Sequence, residues 1–168
     1  MKLSKMICFV LMLLLCSMGN ALAWGNQGSV PIACGSTCTV TADMNGATIL
    51  LNQAAGSVVT LPAATGTGHK FYFAVTVTTT SAADKILAAS TSDYLQGTEI
   101  GWNGSTAKVF ACLGTTHALQ MPFTGSQPSG GFLGDYFEYI DVATNLWQVN
   151  GVYQAGTTPT TPCSATNT

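Results

Sequence analysis

SVVTLPAATGTGHKFYFAVTVTTT, residues 57 to 80, decides the fold class. From His69 to Val77 the residues alternate, with His69, Phe71, Phe73, Val75 and Val77 on one face. Lys70, Tyr72, Ala74, Thr76 and Thr78 fall on the other. A period of two places the apolar set on one side of a sheet and the mostly polar set on the opposite side. Thr, Val, Phe and Tyr also suit a pleated, half-buried surface. Residues 58–61 read as a preceding strand that Pro62 ends, and Ala64-Thr65-Gly66-Thr67-Gly68 as a turn whose glycines take positive φ. The stretch predicts a strand hairpin at the centre of an all-β domain.

The same reading extends in both directions. Residues 39–43 and 47–51 read as two strands around Met44-Asn45-Gly46, where Asn-Gly is a hairpin signal. Downstream, strands are expected over 85–89, 94–102 (interrupted by Gly97), 107–113, 117–121, 132–142 and 145–153. Asn103-Gly104 turns the chain between two of them, and Pro122 breaks the pattern of another. No segment has helical period, and no internal repeat is found. Nine or ten short antiparallel strands at regular spacing predict a single β-sandwich of jelly-roll type, with a closed barrel as the other all-β solution.

Residues 1–23 read as a signal peptide rather than as part of this fold. Lys2 and Lys5 precede a short apolar run, and Ala21-Leu22-Ala23 has the form of a cleavage site, so the mature chain is expected to begin at Trp24. The run is too short for a comfortable membrane span. Leu15 before Cys16 is not the small residue that a lipoprotein site requires. Removing 23 residues from 168 leaves 145, enough for one domain with a real core. Residues 24–38 are expected to be an arm carrying Cys34 and Cys38, residues 39–154 the β-sandwich, and residues 155–168 an extended Thr/Pro-rich tail. The address implied is secreted, extracellular or cell-surface, or periplasmic in a Gram-negative host.

Charge narrows the function classes. The mature chain keeps Lys70, Lys85 and Lys108 against seven acidic groups, a net charge of −4, and has no arginine. Nucleic-acid binding, which needs many neutralised phosphates, and attraction to anionic headgroups are therefore excluded. No insertion into a membrane is expected after leader cleavage. Charged residues make up 7 % of the chain, against about 25 % in an ordinary soluble domain. A surface built from Thr, Ser, Asn, Gln and Gly offers little resistance to close approach by another surface. It suits a homo-oligomer or polymer, or a coat on a cell, particle or glycan.

Two of the six cysteines, Cys8 and Cys16, belong to the leader. Cys34, Cys38, Cys112 and Cys163 remain, and an even number in an exported chain predicts disulfides. Three connectivities are open; Cys34–Cys38 with Cys112–Cys163 is favoured. The second bridge would close a loop of about fifty residues, worth ~4 kcal/mol by chain entropy. The run Cys34-Gly-Ser-Thr-Cys38 lacks the second cysteine spacing and aromatic of a papain-type nucleophile, and zinc would need further ligands.

The remaining chemistry is sparse. Asp135, Glu138 and Asp141 in GDYFEYID invite a glycosidase or calcium reading, but alternation separates Glu138 from the other two. They read instead as solvated strand ends. His69 and His117 form no metal or catalytic motif. Trp102, Tyr136, Tyr139, Trp147 and Tyr153 are candidate surface or interface aromatics, with Tyr94, and could stack sugar rings or fill a core. Asn103-Gly104-Ser105 is a glycosylation sequon in a predicted turn. No catalytic residue, metal or cofactor is expected.

The phrases VTLPAATGTGHKFYFAVTVTTTSAADKI, YLQG, SGGFLGDYFEYIDVATNLWQVNGV and GTTPTTPCSAT, in this order, resemble small β-proteins encoded near virion genes of tailed phages and prophages. The resemblance covers most of residues 45 to 166. It implies a non-enzymatic, self-associating β-domain of the capsid-decoration or fibre type. The chain departs from that pattern in its leader and its cysteines, Cys163 standing where Phe is usual. Both departures suit an oxidising exterior. The expected function is thus a secreted structural protein, with a glycan-binding or adhesin-like module as the alternative.

Overall fold

The computed structural model describes residues 30–112, 120–123 and 129–163. The expected signal peptide, the cleavage site before Trp24 and His117 lie outside the described residues. Eleven strands are present among the described residues: β1 (Ile32–Ala33), β2 (Thr37–Thr39), β3 (Thr48–Leu51), β4 (Val58–Thr60), β5 (Lys70–Val75), β6 (Asp84–Leu87), β7 (Tyr94–Trp102), β8 (Ala107–Cys112), β9 (Gln120–Phe123), β10 (Tyr136–Ala143) and β11 (Leu146–Gln154). A single 3-10 turn at Ala42–Met44 is the one helical element described. The described residues are nearly all β, as expected.

The strands form two sheets, ordered β1-β3-β5-β10-β11-β7-β8 and β2-β4-β6-β9. Both are mixed, which corrects the expectation of antiparallel strands. In the larger sheet β1, β3 and β5 run parallel, with Ile32 opposite Ile49 and Ile49 opposite Phe73. In the smaller one β2, β4 and β6 do the same, with Cys38 opposite Val59 and Val59 opposite Ile86. The first six strands therefore alternate between the sheets, and the chain winds through them as successive coils. Parallel neighbours need a crossover connection, and the strand of the other sheet supplies it.

Two expected hairpins are overturned by this winding. β4 and β5, the two strands of residues 57–80, belong to different sheets. The nine residues between them are longer than the two to five typical of a hairpin loop and carry the chain across to the facing layer, about 10 Å away. β2 and β3 are likewise split between sheets, and the 3-10 turn lies where the Asn45-Gly46 hairpin was expected. The region expected to be an N-terminal arm already contains β1 and β2. The local hairpins are found later: β7–β8 around Asn103-Gly104, and β10–β11 around Asn145, which takes φ 62°.

One core lies between the sheets. Phe71, Phe73 and Val75 of β5 are buried as the alternation requires, while His69 is half-buried and Val77, beyond the strand end, is exposed. Phe137, Tyr139, Trp147 and Val149 join them from the larger sheet, and Val59, Ile86 and Phe123 from the smaller. Phe123 and Phe137 stack with centroids 4.1 Å apart, so the two layers meet directly. The sheets are not closed into a barrel. Pro122 sits inside β9, which pairs only with β6 among the described strands, an edge position where a missing N–H is tolerated.

Gly97 does not interrupt β7. It stays in register with Val149 of β11, and an added Cβ would run into the Val149 backbone. Gly97→Ala is expected to destabilise the domain by about 3 kcal/mol through overpacking. Gly104→Ala, in open space at a turn with positive φ, should cost about 1 kcal/mol. Chemical denaturation of the two variants checks the ranking, and equal losses would refute the close approach.

Candidate functional site

Five of the seven acidic residues are buried: Asp84, Asp93, Glu99, Asp135 and Asp141. This corrects the reading of Asp135 and Asp141 as solvated strand ends. Asp141, on β10, accepts hydrogen bonds from the backbone N–H groups of Thr65 (3.0 Å), Gly66 (2.6 Å) and Thr67 (3.0 Å). The Thr67 hydroxyl adds a fourth at 2.6 Å. Gly66 takes φ 78°, which turns successive N–H groups toward one point and makes a nest for the carboxylate. Burial opposes the charge on Asp141, but the hydrogen bonds from Thr67, Gly66 and Thr65 outweigh it and hold its pKa below the usual value.

Asp135 is held in the same way by Gly131 N (2.8 Å), Phe132 N (3.0 Å) and Gln154 N (2.7 Å). Asp84 accepts from Ser57 N at 2.7 Å. For these two, desolvation dominates and pushes the pKa up to about 6. Asp135 lies close enough to Asp84 for its charge to raise the Asp84 pKa further. Each pins a loop to a strand, and Glu138, half-buried on the opposite face of β10, lies 3.9 Å from Lys70. Sequence reading missed these clamps because Asp141 and Asp84 take their N–H donors from backbone far away in the chain, while Asp135 joins near donors at Gly131 and Phe132 to a distant one at Gln154.

The structure divides the five candidate aromatics. Trp102 and Tyr136 are exposed, whereas Tyr139, Trp147 and Tyr153 are buried, which corrects the surface reading for those three. Tyr139 packs edge-on to Phe73, and Trp147 lies against Phe71. Tyr153 donates from its hydroxyl to the Thr160 carbonyl and stacks on Phe110. Alternation along β10 and β11 puts all three on the face that β5 uses for its phenylalanines. Tyr94 is half-buried at the start of β7.

The outward face of the larger sheet carries the most distinctive surface. Ala74, Tyr136, Val152, Ile100 and Val109 stand directly opposite one another across β5, β10, β11, β7 and β8. Tyr136, Val152, Ile100 and Val109 are all exposed, and Val109 reaches 70 %. Tyr72 stacks on Tyr136 with centroids 6.0 Å apart. A shallow depression over Gly151 is lined by Thr98, Ile100, Tyr136, Glu138, Asn150 and Val152. Trp102 extends the apolar row toward the Asn103 turn. The signal for this row was in the sequence as alternation. Its continuity was not, because it depends on the register of five strands.

Cysteine pairing follows the favoured connectivity, with Cys34 bonded to Cys38 and Cys112 to Cys163. Over its described residues, 155–163, the tail is anchored: Ala155 N donates to the Trp102 carbonyl, and Pro159 and Pro162 are buried. Glu99, Cys112 and Cys163 lie within 4.8 Å of one another, a grouping that could hold a metal only if the bridge were open, since bonded sulfurs are not thiolates. Asn103 of the sequon caps its own turn, its Oδ1 accepting from Ser105 N (3.2 Å) and Thr106 N (2.8 Å). His69 is half-buried near Phe71, their ring centroids 6.5 Å apart.

The buried acids set a pH profile. Asp84 and Asp135 reach about 6 from 3.8, and Glu99 about 8 from 4.5, each through desolvation. A raised carboxyl keeps its proton in the folded state where the unfolded chain has lost it, so these contributions are full at low pH and fade as pH rises through the folded values. Asp141 acts oppositely, its contribution being lost as pH falls below 3.8. Thermal stability should therefore be greatest near about pH 4–5 and decline toward pH 8, as scanning calorimetry across that range would show. Asp141→Asn should cost about 3 kcal/mol by weakening charge-assisted bonds in the nest, measured by denaturation at pH 6.

Comparison with known proteins places no relative beside this chain: no family model, no curated protein and no solved structure matches it.

Proposed function

We propose that the mature domain is a secreted, non-enzymatic structural protein that associates with copies of itself through the outward face of its larger sheet. The observation that carries this reading is the continuous apolar row Ala74–Tyr136–Val152–Ile100–Val109. Five strands of six to nine residues, spaced ~4.8 Å apart and rising ~3.3 Å per residue, make a face of ~600 Å², approaching the ~800 Å² per partner of a standard interface. A second copy is the fitting occupant because the face is nearly free of net charge, Glu138 lying beside Lys70. Two such faces meet without repulsion. Lys108 on the edge strand β8 discourages pairing along the edge, which favours association face to face.

The family-level reading is consistent with this surface. A decoration or fibre role, on a particle or a cell, requires a rigid domain with an adhesive face. The two layers that meet at Phe123 and Phe137 support a sandwich as its frame. Among the described residues no helix is long and apolar enough to cross a membrane, and the two disulfides are compatible with an oxidising exterior.

A second reading, glycan binding, is favoured by one specific feature. The Tyr72–Tyr136 stack borders a depression that also presents Thr98, Asn150 and Glu138, an aromatic platform with polar groups at its rim. Light scattering on the non-reduced mature protein separates the two. The wild type should run as a discrete oligomer or polymer, and Val152→Lys with Ile100→Lys should shift it to monomer with about tenfold weaker association or more. A wild-type monomer that binds a glycan array through Tyr136, and loses it in Tyr136→Ala, would replace self-association by sugar recognition.

A further inference from the structure

Glu99 is the one buried acid that no loop clamps. It lies on the inward side of β7, between Gly97 and Gly101, and is fully buried. Asp84, Asp135 and Asp141 each accept backbone N–H groups. The oxygens of Glu99 face sulfur instead: Oε1 is 3.5 Å from Cys112 Sγ and 3.8 Å from Cys163 Sγ, and Oε2 is 3.8 Å from Cys163 Sγ. Burial with no compensating donor keeps its proton on up to about pH 8. A sulfur in a disulfide has no hydrogen, so the carboxyl O–H is the donor in this contact. The other titratable groups around it are Tyr139 of β10 and Tyr153 of β11, both buried and neutral, with pKa values raised by desolvation and by Glu99 itself.

We propose that Cys112–Cys163 is a reducible bridge with Glu99 as its proton-transfer residue, taking small thiols or dithiols as co-reactant. The two sulfurs are not equivalent. Cys112 is buried, while Cys163, on the tail segment, is partly exposed. An external thiolate therefore attacks Cys163 Sγ, forming a mixed disulfide there and expelling Cys112 Sγ as a thiolate. That thiolate, held in a site that disfavours charge, takes the proton of the Glu99 carboxyl, and the carboxylate left behind is reprotonated from water. A second thiol of the reductant resolves the mixed disulfide, leaving Cys163 as a thiol and the reductant as its own disulfide. Two electrons and two protons pass from the dithiol to the bridge. In reoxidation the Glu99 carboxyl first releases its proton to water, and the carboxylate then takes the proton from Cys112.

The consequence is mechanical as well as chemical. The bridge ties the tail across the inward face of β7 and β8, where Pro159 lies over Gly101 and Thr160 receives the Tyr153 hydroxyl. Opening it frees the tail from its one covalent tie to β8. Cys34–Cys38 provides an internal reference, because no carboxylate among the described residues lies against its sulfurs.

The test uses the intact non-reduced mature protein, exposed to dithiothreitol from pH 6 to 9, quenched by alkylation and read by peptide mass spectrometry for each bridge. The ratio of the two reduction rates cancels the pH dependence of the reagent. In the wild type this ratio should change with an inflection near about 8. In Glu99→Gln it should become independent of pH, and reduction of Cys112–Cys163 at pH 7 should slow by about tenfold or more. A wild-type ratio that does not vary with pH would overturn the proposal without recourse to any variant. An unchanged ratio in a folded Glu99→Gln protein would do the same.

Discussion

The carboxylate of Asp141, seated on the N–H groups of Thr65, Gly66 and Thr67, joins two parts of the chain more than seventy residues apart. The winding half of the fold ends its crossing from β4 to β5 in that loop, and the last antiparallel hairpin begins at β10. Without a partner, three successive N–H groups in a crossing loop would have to be satisfied by water at the border of the core. With Asp141 in place they orient the loop, and β5 enters the larger sheet beside β10 in the register that buries Phe71, Phe73 and Val75. Asp135 and Asp84 repeat the device at other junctions. A fold whose strands alternate between layers has many crossings, and each needs its backbone polar groups satisfied.

This use of carboxylates has a second effect. A chain that is already poor in charge places five of its seven acids inside, leaving, among the described residues, Asp43, Glu138 and three lysines outside the core. The exterior is then dominated by small hydroxyl and amide side chains, with an apolar row across five strands of one face. Long charged side chains are what usually keep such a face apart from a neighbour, through both their hydration and their entropy. Here that barrier is low. The structural role proposed for the domain follows from where its charge went as much as from what is exposed.

Glu99 stands apart from the clamps. Its neighbours are two sulfurs and two tyrosines rather than a row of N–H groups, so its burial is not explained by loop anchoring. A neutral carboxyl against a disulfide is a proton source at the atoms that would carry new charge on reduction. The glycines on either side of it in β7 admit close packing by Val149, Tyr153 and Pro159.

Sequence by itself determined the properties that depend on near neighbours. Alternation through Phe71, Phe73 and Val75 determined strand and core face, and the same rule located β7 and the β7–β8 turn at Asn103-Gly104. Composition determined the low charge, and the spacing of Cys34, Cys38, Cys112 and Cys163 favoured the pairing found. Tertiary structure decided which strands are neighbours. Pairing is a contact between distant segments, and a turn signal such as Asn45-Gly46 or the glycines near Thr67 marks a change of direction without naming the sheet that follows. For the same reason Tyr139, Trp147 and Tyr153 could not be separated from Trp102 and Tyr136 by residue type, and Asp141 could not be told from a solvated strand end. Each was settled by groups brought from elsewhere in the chain, because burial and hydrogen bonding are properties of the assembled layers and not of the local sequence.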